Sequence, residues 1–348
     1  MNKEKILITG GTGYIGSHTA VEFMEAGFDV VIIDDLSNSH IEVLDGIEKI
    51  VGRRPKFEQV DMGDLSALKN FFEAEGDISG VVHFAASKAV GESVEKPTLY
   101  YRNNLVSLLN LLDCMREAGT ETVVFSSSCT VYGQPASLPV TEETPMKPAD
   151  SPYGNTKKIC EDILRDTLQS GAKLKAAALR YFNPVGAHPS AEIGEIPKGV
   201  PNNLVPYITQ TAAGLREKLM VFGNDYDTRD GTCIRDFIHV VDLARAHVAA
   251  FRKLANADQG AYEVYNLGTG NGNTVMELIN AFVEATGINV PYEFAPRRTG
   301  DIEKIYADSS LANNALGWKA ELGTKDMMAS AWKWETKYRG LEEKGAKS

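Results

Sequence analysis

Short apolar runs alternate with longer stretches in which apolar side chains recur every three or four positions. Lys5–Thr9 (KILIT), Asp29–Asp34 (DVVIID), Phe57–Val60, Gly80–Ala85 (GVVHFA), Thr122–Ser126 (TVVFS) and Leu174–Leu179 read as strands. His18–Ala26, Leu65–Glu73, Asn104–Glu117 and Ser151–Ser170 read as helices between them. Near-continuous apolar strands are buried on both faces, and strands joined by helices pair in parallel. With right-handed crossovers, this predicts an α/β fold built on a doubly wound, Rossmann-type parallel sheet.

Leu105, Val106, Leu108, Leu109, Leu111 and Leu112 make the helix near 104–117 apolar around most of its circumference. Such a helix needs a second buried face. Packing beneath the rest of the chain would supply one. A homodimer contact with the helix near 153–170 would supply another, and that is the expected partner surface. After Asn183 the alternation turns irregular, and proline and glycine become dense (Pro184, Gly186, Pro189, Gly194, Pro197). The predicted division is a Rossmann domain, residues 1–182, followed by a smaller mixed α/β substrate-binding domain, residues 183–348. A segment near 236–268, with Tyr262–Leu267 (YEVYNL) as a strand, returns to the first domain. The tail after Tyr338 is charged and predicts loose chain.

Composition narrows the function classes. The chain has 348 residues, enough for about two domains, and 43% hydrophobic content suits a packed core. A net charge of −11 argues against a nucleic-acid surface, so an anionic ligand needs local arginines. Cys114, Cys129, Cys160 and Cys233 are scattered, with no metal or redox spacing. The start, Met1-Asn2-Lys3-Glu4-Lys5, runs straight into a strand and reads as no signal peptide; no stretch has the length of a membrane span. The expected location is cytoplasmic.

The chemistry sits in three motifs. Gly10, Gly13 and Gly16 follow a strand and open a helix, the context a dinucleotide fingerprint requires. Gly10 allows the tight turn, Gly13 admits the pyrophosphate, and the helix N-terminus faces its charge. Asp34, eighteen residues after Gly16, ends the second strand. A carboxylate there takes the adenine-ribose hydroxyls and, with Asp35, repels a 2′-phosphate, so NAD is expected over NADP. Asp61, after the third strand, is placed to take the adenine amino group. Tyr153 and Lys157 lie four apart near the start of a helix that Ser151 caps and Pro152 opens, so their side chains share a face about 6 Å apart. An ammonium near a phenol favours the phenolate, which suits a general base. Ser128, at a strand end, can pass or steady a proton.

These motifs lie within ITGGTGYIGSH (8–18), HFAASKAVGESVEKP (83–97), FSSSCTVYG (125–133), SPYGNTKK (151–158), LRYFNPVGAHPS (179–190), PNNLVPYI (201–208), FGNDYDTRDGTCIRDFIHVVDLA (222–244), YNLGTG (265–270) and PRRTGD (296–301). In that order, over nearly the whole length, they resemble the extended short-chain dehydrogenases/reductases. More narrowly they resemble the UDP-glucose 4-epimerase (UDP-galactose 4-epimerase) family. The resemblance implies an NAD-dependent isomerase of galactose metabolism that inverts C4 of a UDP-hexose through a transient 4-keto sugar, with NAD tightly bound. For NAD it implies Tyr14, Ile15, Asp34, Asp35, Leu36, Ser37, Asn38, Ser39, Asp61, Met62, Phe84, Ala85, Ala86, Ser87, Lys88, Asn103, Ser128, Tyr153, Lys157 and Phe182. For the UDP-sugar it implies Lys88, Ser128, Tyr153, Asn183, Asn203, Leu204, Met220, Val221, Phe222, Arg235, Arg298, Asp301 and Ile305. Two guanidinium forks can neutralise a diphosphate.

Two positions depart from the family pattern. Phe237 stands where relatives often carry tyrosine. Ile305 falls where the family uses a gate beside the sugar; isoleucine is intermediate in size, leaving acceptance of UDP-N-acetyl sugars open. Ile305 as plain core is the competing reading. A nucleotide-sugar 4,6-dehydratase needs an added acid and base, yet Ser128 is followed by Cys129-Thr130-Val131, with no carboxylate. The remaining alternatives are a UDP-N-acetylglucosamine or bifunctional 4-epimerase, a UDP-glucuronate 4-epimerase, and a non-catalytic NAD-binding regulator. A Cys129 thiol enzyme lacks a supporting histidine pattern.

Overall fold

The computed structural model describes residues 3–298 and 301–341. Residues 342–348, most of the tail expected to be loose, and Thr299 and Gly300 of the 296–301 block lie outside the described residues. In chain order, β1 (Lys5–Thr9), α1 (Tyr14–Glu25), β2 (Asp29–Asp34), α2 (Val43–Val51), β3 (Lys56–Gln59), α3 (Leu65–Glu75), β4 (Gly80–His83), α4 (Val90–Glu95), α5 (Pro97–Ala118) and β5 (Thr122–Ser128) come first. A single 3-10 turn, Cys129–Tyr132, leads towards α6 (Pro152–Gln169) and β6 (Lys175–Tyr181). Then follow β7 (Asn183–Val185), α7 (Leu204–Ala212), β8 (Leu219–Phe222), β9 (Ile234–His239), α8 (Val240–Ala255), β10 (Tyr262–Leu267), β11 (Gly272–Thr274), α9 (Val275–Thr286), β12 (Tyr292–Ala295), β13 (Lys304–Ile305), α10 (Ser310–Leu316) and α11 (Thr324–Tyr338).

Seven strands form one sheet in the order β10-β6-β5-β4-β1-β2-β3, every neighbouring pair parallel. Its strands are apolar along their whole length because both faces are covered. Ile6, Ile8, Ile32 and Val82 face a core shared with α1 and α8, whereas Leu7, Val31, Ile33 and Val81 face one shared with α3, α5 and α6. The doubly wound parallel sheet is therefore as the pattern predicts, and β10 does return to it, beside β6.

The helices carry their own start signals. Asp64 caps α3 by accepting from Ser66 N and Ala67 N. Ser151 caps α6 by accepting from Gly154 N, with Pro152 at the first position, as the sequence predicts. Helix α1 begins four residues earlier than its apolar period suggests, directly after the glycine loop. Beyond the main sheet, β9 pairs with β11, β13 and β7, and β8 pairs with β12. Phe237 packs into an apolar cluster with Val185, Val205 and Phe282 under these smaller sheets. No helix among the described residues is long and apolar enough to cross a membrane.

Candidate active site

The C-terminal edge of the main sheet gathers the predicted residues, as open parallel sheets do. Gly10 follows β1, Asp34 ends β2, Asp61 follows β3, Phe84 follows β4, Ser128 ends β5 and Phe182 follows β6. Gly10 takes φ +67°, and a β-carbon on it would lie 2.8 Å from the Ala85 nitrogen. One on Gly16 would lie 2.4 Å from the Gly10 oxygen. Tyr14 and Ile15 open α1 beside this bare-backbone loop. That cradle fits a pyrophosphate at a helix N-terminus.

Asp34 is buried against the loop. Its carboxylate accepts from Thr12 N (3.3 Å), Leu36 N (3.0 Å) and the Ser39 hydroxyl (2.8 Å). Leu36 is held at φ 60°, unfavourable for a branched side chain. Lys198 fastens that turn by donating to the Leu36 (3.2 Å) and Ser37 (2.6 Å) carbonyls. Asp35, Ser37 and Asn38 are exposed on the same turn, where Asp35 accepts from Ser37 N. Asp61 is exposed and accepts from Gly63 N (2.7 Å). Met62 and Phe182 turn their side chains into apolar clusters. The Phe84–Lys88 stretch is only partly covered, and Asn103 donates to the Ser87 hydroxyl (3.0 Å).

Tyr153, Lys157 and Ser128 form a compact group. Lys157 is buried and donates to the Ser126 carbonyl (2.7 Å), with its ammonium 6.0 Å from the Tyr153 ring centre. Burial lowers Lys157 to about 8. Burial pushes Tyr153 up to about 12, and the Ser128 hydroxyl pulls it partly back. The expected lowering of the phenol is therefore outweighed in the protein alone, because desolvation exceeds the stabilisation of the phenolate. Ser128 starts the 3-10 turn, accepting from Thr130 N (3.2 Å) and from the Thr130 hydroxyl (3.0 Å). Cys129 is pushed up to about 12 by burial, which keeps it a thiol and counts against nucleophilic use.

The remaining predicted residues come from the smaller sheets. Arg235 on β9 donates to Asp301 (3.0 Å), and the Arg298 guanidinium lies 3.9 Å from the Phe222 ring centre. Asn183 pairs in register with Phe237, and Ile305 with Arg235. Asn203 precedes α7, whose first residue is the half-buried Leu204. Along β8, Met220 and Phe222 are half-exposed, while the Val221 side chain is buried among apolar neighbours, leaving only its backbone for a ligand. Ile305 is 3% exposed and clusters with Val131, Tyr132 and Phe182.

Sequence reasoning missed several organising residues. Buried Asn104 accepts from Ser87 N (2.8 Å) and donates to the Ser87 carbonyl (3.0 Å) and to Thr156 Oγ1 (2.9 Å), tying α5, α6 and the loop after β4 together. Its signal was a second asparagine beside Asn103 on an otherwise apolar helix. Glu195 accepts from Asn203 (2.7 Å) and lies 4.0 Å from Lys88, so it bridges the two halves of the site. Buried Asp236 accepts from Thr269 N (2.8 Å), Thr269 Oγ1 (2.7 Å), Gly270 N (3.1 Å) and Ala307 N (3.1 Å).

A glycine cradle, a carboxylate at the end of β2 and a Tyr/Lys/Ser group at the sheet edge define an NAD-dependent enzyme of the short-chain dehydrogenase/reductase type. Residues 7–331 match the family model for GDP-mannose 4,6 dehydratase. UDP-glucose 4-epimerase from Bacillus subtilis is 50% identical over 331 residues, 95% of this chain and 96% of its own. The solved UDP-glucose 4-epimerase from Bifidobacterium longum, in complex with NAD+ and UDP, superposes with a TM-score of 0.92 at 47% identity, covering 97% of this chain and all of that one. The UDP-Glc/GlcNAc 4-epimerase from Campylobacter jejuni gives 0.82 at 38% identity, over 96% of this chain and 99% of that one. The chain belongs to the family matched by the model and, within it, stands with the UDP-glucose 4-epimerases.

Proposed function

We propose that this chain interconverts UDP-galactose and UDP-glucose by inverting C4. The observation that carries the reading is the Tyr153 phenol beside Ser128 at the end of β5, with the buried Lys157 ammonium 6.0 Å from its ring. Tyr153, neutral in the protein alone, would become the phenolate once a positive nicotinamide ring lies beside it, and would then take the proton from the sugar 4-hydroxyl and later return it. Lys157 sustains the negative charge, and Ser128 steadies the proton in transit. The Gly10–Gly16 loop and Asp34 would hold NAD, which would supply the acceptor and donor of the C4 hydride. Arg235, Arg298, Asn203 and Phe222 hold the UDP handle, so the hexose turns while the nucleotide stays fixed.

A second reading takes the gate position that the resemblance implies, where this chain carries no aromatic ring but Ile305, folded into the cluster of Val131, Tyr132 and Phe182. It is that UDP-N-acetyl sugars are also accepted, as the name UDP-Glc/GlcNAc 4-epimerase says of the Campylobacter jejuni enzyme. The proposal extends to a Rossmann domain of residues 1–182 joined by β10, a UDP-sugar domain from the rest, a cytoplasmic location and a homodimer through α5 and α6. Leu99 and Leu109, each 46% exposed on α5, support the dimer surface.

The test is incubation with UDP-galactose, without added reductant, beside the Tyr153→Phe variant. Wild type should form UDP-glucose, and the variant should lose about 10²–10⁴ in rate with NAD retained. Near-full activity of the variant would remove Tyr153 from the role of base.

A further inference from the structure

One turn beyond Lys157 on α6, Glu161 is 0% exposed and paired with Arg180 of β6, itself 3% exposed. The fork is bidentate: Arg180 Nε reaches Glu161 Oε1 at 3.0 Å and Nη2 reaches Oε2 at 2.7 Å. The Ser127 hydroxyl, next to Ser128, donates to the same carboxylate. Arg180 Nη1 then donates to the Tyr132 hydroxyl (2.8 Å), at the end of the turn that Ser128 begins. Tyr132 donates to Asn266 Oδ1 (2.6 Å), and Asn266 Nδ2 donates to the Val140 carbonyl (3.1 Å). Val140 N donates to the Tyr306 carbonyl (3.0 Å), directly after Ile305. A continuous buried chain of hydrogen bonds therefore runs from the helix of Tyr153 and Lys157 to the strand that bears Ile305.

A buried ion pair is a poor source of stability, because desolvating both charges offsets most of their attraction, and apolar replacements are often neutral or better. What such a pair supplies is geometry: a planar fork fixes the relative position of the two elements it joins. From this we infer that Glu161, Arg180 and Tyr132 are positioning residues. They hold α6 in register with Ser128 and couple that register to β13, the strand of Ile305. The inference rests on the epimerase reading above, since Tyr153 and Ser128 take their roles from it.

Tyr132→Phe tests it with least disturbance, because the ring stays in the core and only the hydroxyl link is cut. Turnover of UDP-galactose should fall about tenfold, with KM within about twofold of wild type. Bound NAD should hold while melting falls by a few degrees, since buried Arg180 and Asn266 each lose a partner, and the acid limb of the kcat profile should move. The double variant Glu161→Met/Arg180→Met should melt no lower than wild type yet still lose turnover. The inference fails if Tyr132→Phe matches wild type in kcat and pH profile. It also fails if turnover, NAD content and melting fall together, or if the double variant regains both stability and full turnover. Those results mark a structural role only. A wild-type protein that converts no UDP-hexose takes down the epimerase reading and this inference with it.

Discussion

Lys157 should make the fold less stable at neutral pH, and replacing it with methionine exposes the cost. The ammonium is 3% exposed, and burial brings it from an ordinary 10.5 down to about 8. At 1.36 kcal/mol per pH unit, holding it charged inside costs about 3 kcal/mol. The sign follows from proton binding. The folded-state value lies below the unfolded one, so between about 8 and 10.5 the unfolded chain holds the extra proton. The lysine's contribution to stability is therefore fully present above 10.5 and is lost as pH falls through about 8. Lys157→Met has no such dependence. The unfolding free energy of the variant minus that of wild type should be largest near pH 7 and should shrink by about 3 kcal/mol once pH exceeds 10.5. The assay is urea unfolding at a series of pH values, with NAD content matched by absorbance. The variant should meanwhile lose turnover, since nothing else replaces the ammonium behind Tyr153. A difference that stays flat across the series, or grows with pH, would refute burial as the dominant influence on this lysine.

Two other changes address the cofactor half and the framework. Asp34→Ala removes the carboxylate expected to take the ribose hydroxyls. Two charge-assisted hydrogen bonds lost, about 1.5–3 kcal/mol each, should weaken NAD about 10²–10⁴-fold and narrow the margin over NADP, measured by cofactor titration of stripped protein. Asp236→Asn offers only one acceptor oxygen where the carboxylate serves four hydrogen bonds. It should cost about 3 kcal/mol in urea unfolding, because buried donors are left facing an amide nitrogen. An unchanged midpoint would show that the loop of Thr269 and Gly270 finds other partners.

Much of the fold was legible because the signals are local. The KILIT and DVVIID runs are apolar throughout because both sheet faces are covered, and this alone separates a parallel sheet from a hairpin architecture. Ser151-Pro152 announced the start of α6, and with it the shared face of Tyr153 and Lys157. Helix α2 was not anticipated, although Leu44 and Ile47 bury one face of it, because it is short and its N-cap side chain makes no capping bond. The organising polar residues were not legible either. Glu161, Arg180 and Asp236 meet partners that spacing does not reveal, and Asn104 left only the weak signal of a second asparagine on an apolar helix. The direction of the Tyr153 shift was missed for a related reason: charge proximity follows from helix spacing, but desolvation depends on everything packed around the ring.

The most direct test of C4 inversion by transient oxidation is the fate of the hydrogen on that carbon. UDP-galactose carrying deuterium at C4 would be converted in ordinary water, and the UDP-glucose formed examined by mass spectrometry and NMR. The hydrogen is removed and returned within one site, so the product should keep deuterium at C4. UDP-glucose that has lost the label to solvent would contradict the account, as would a product lacking the elements of water.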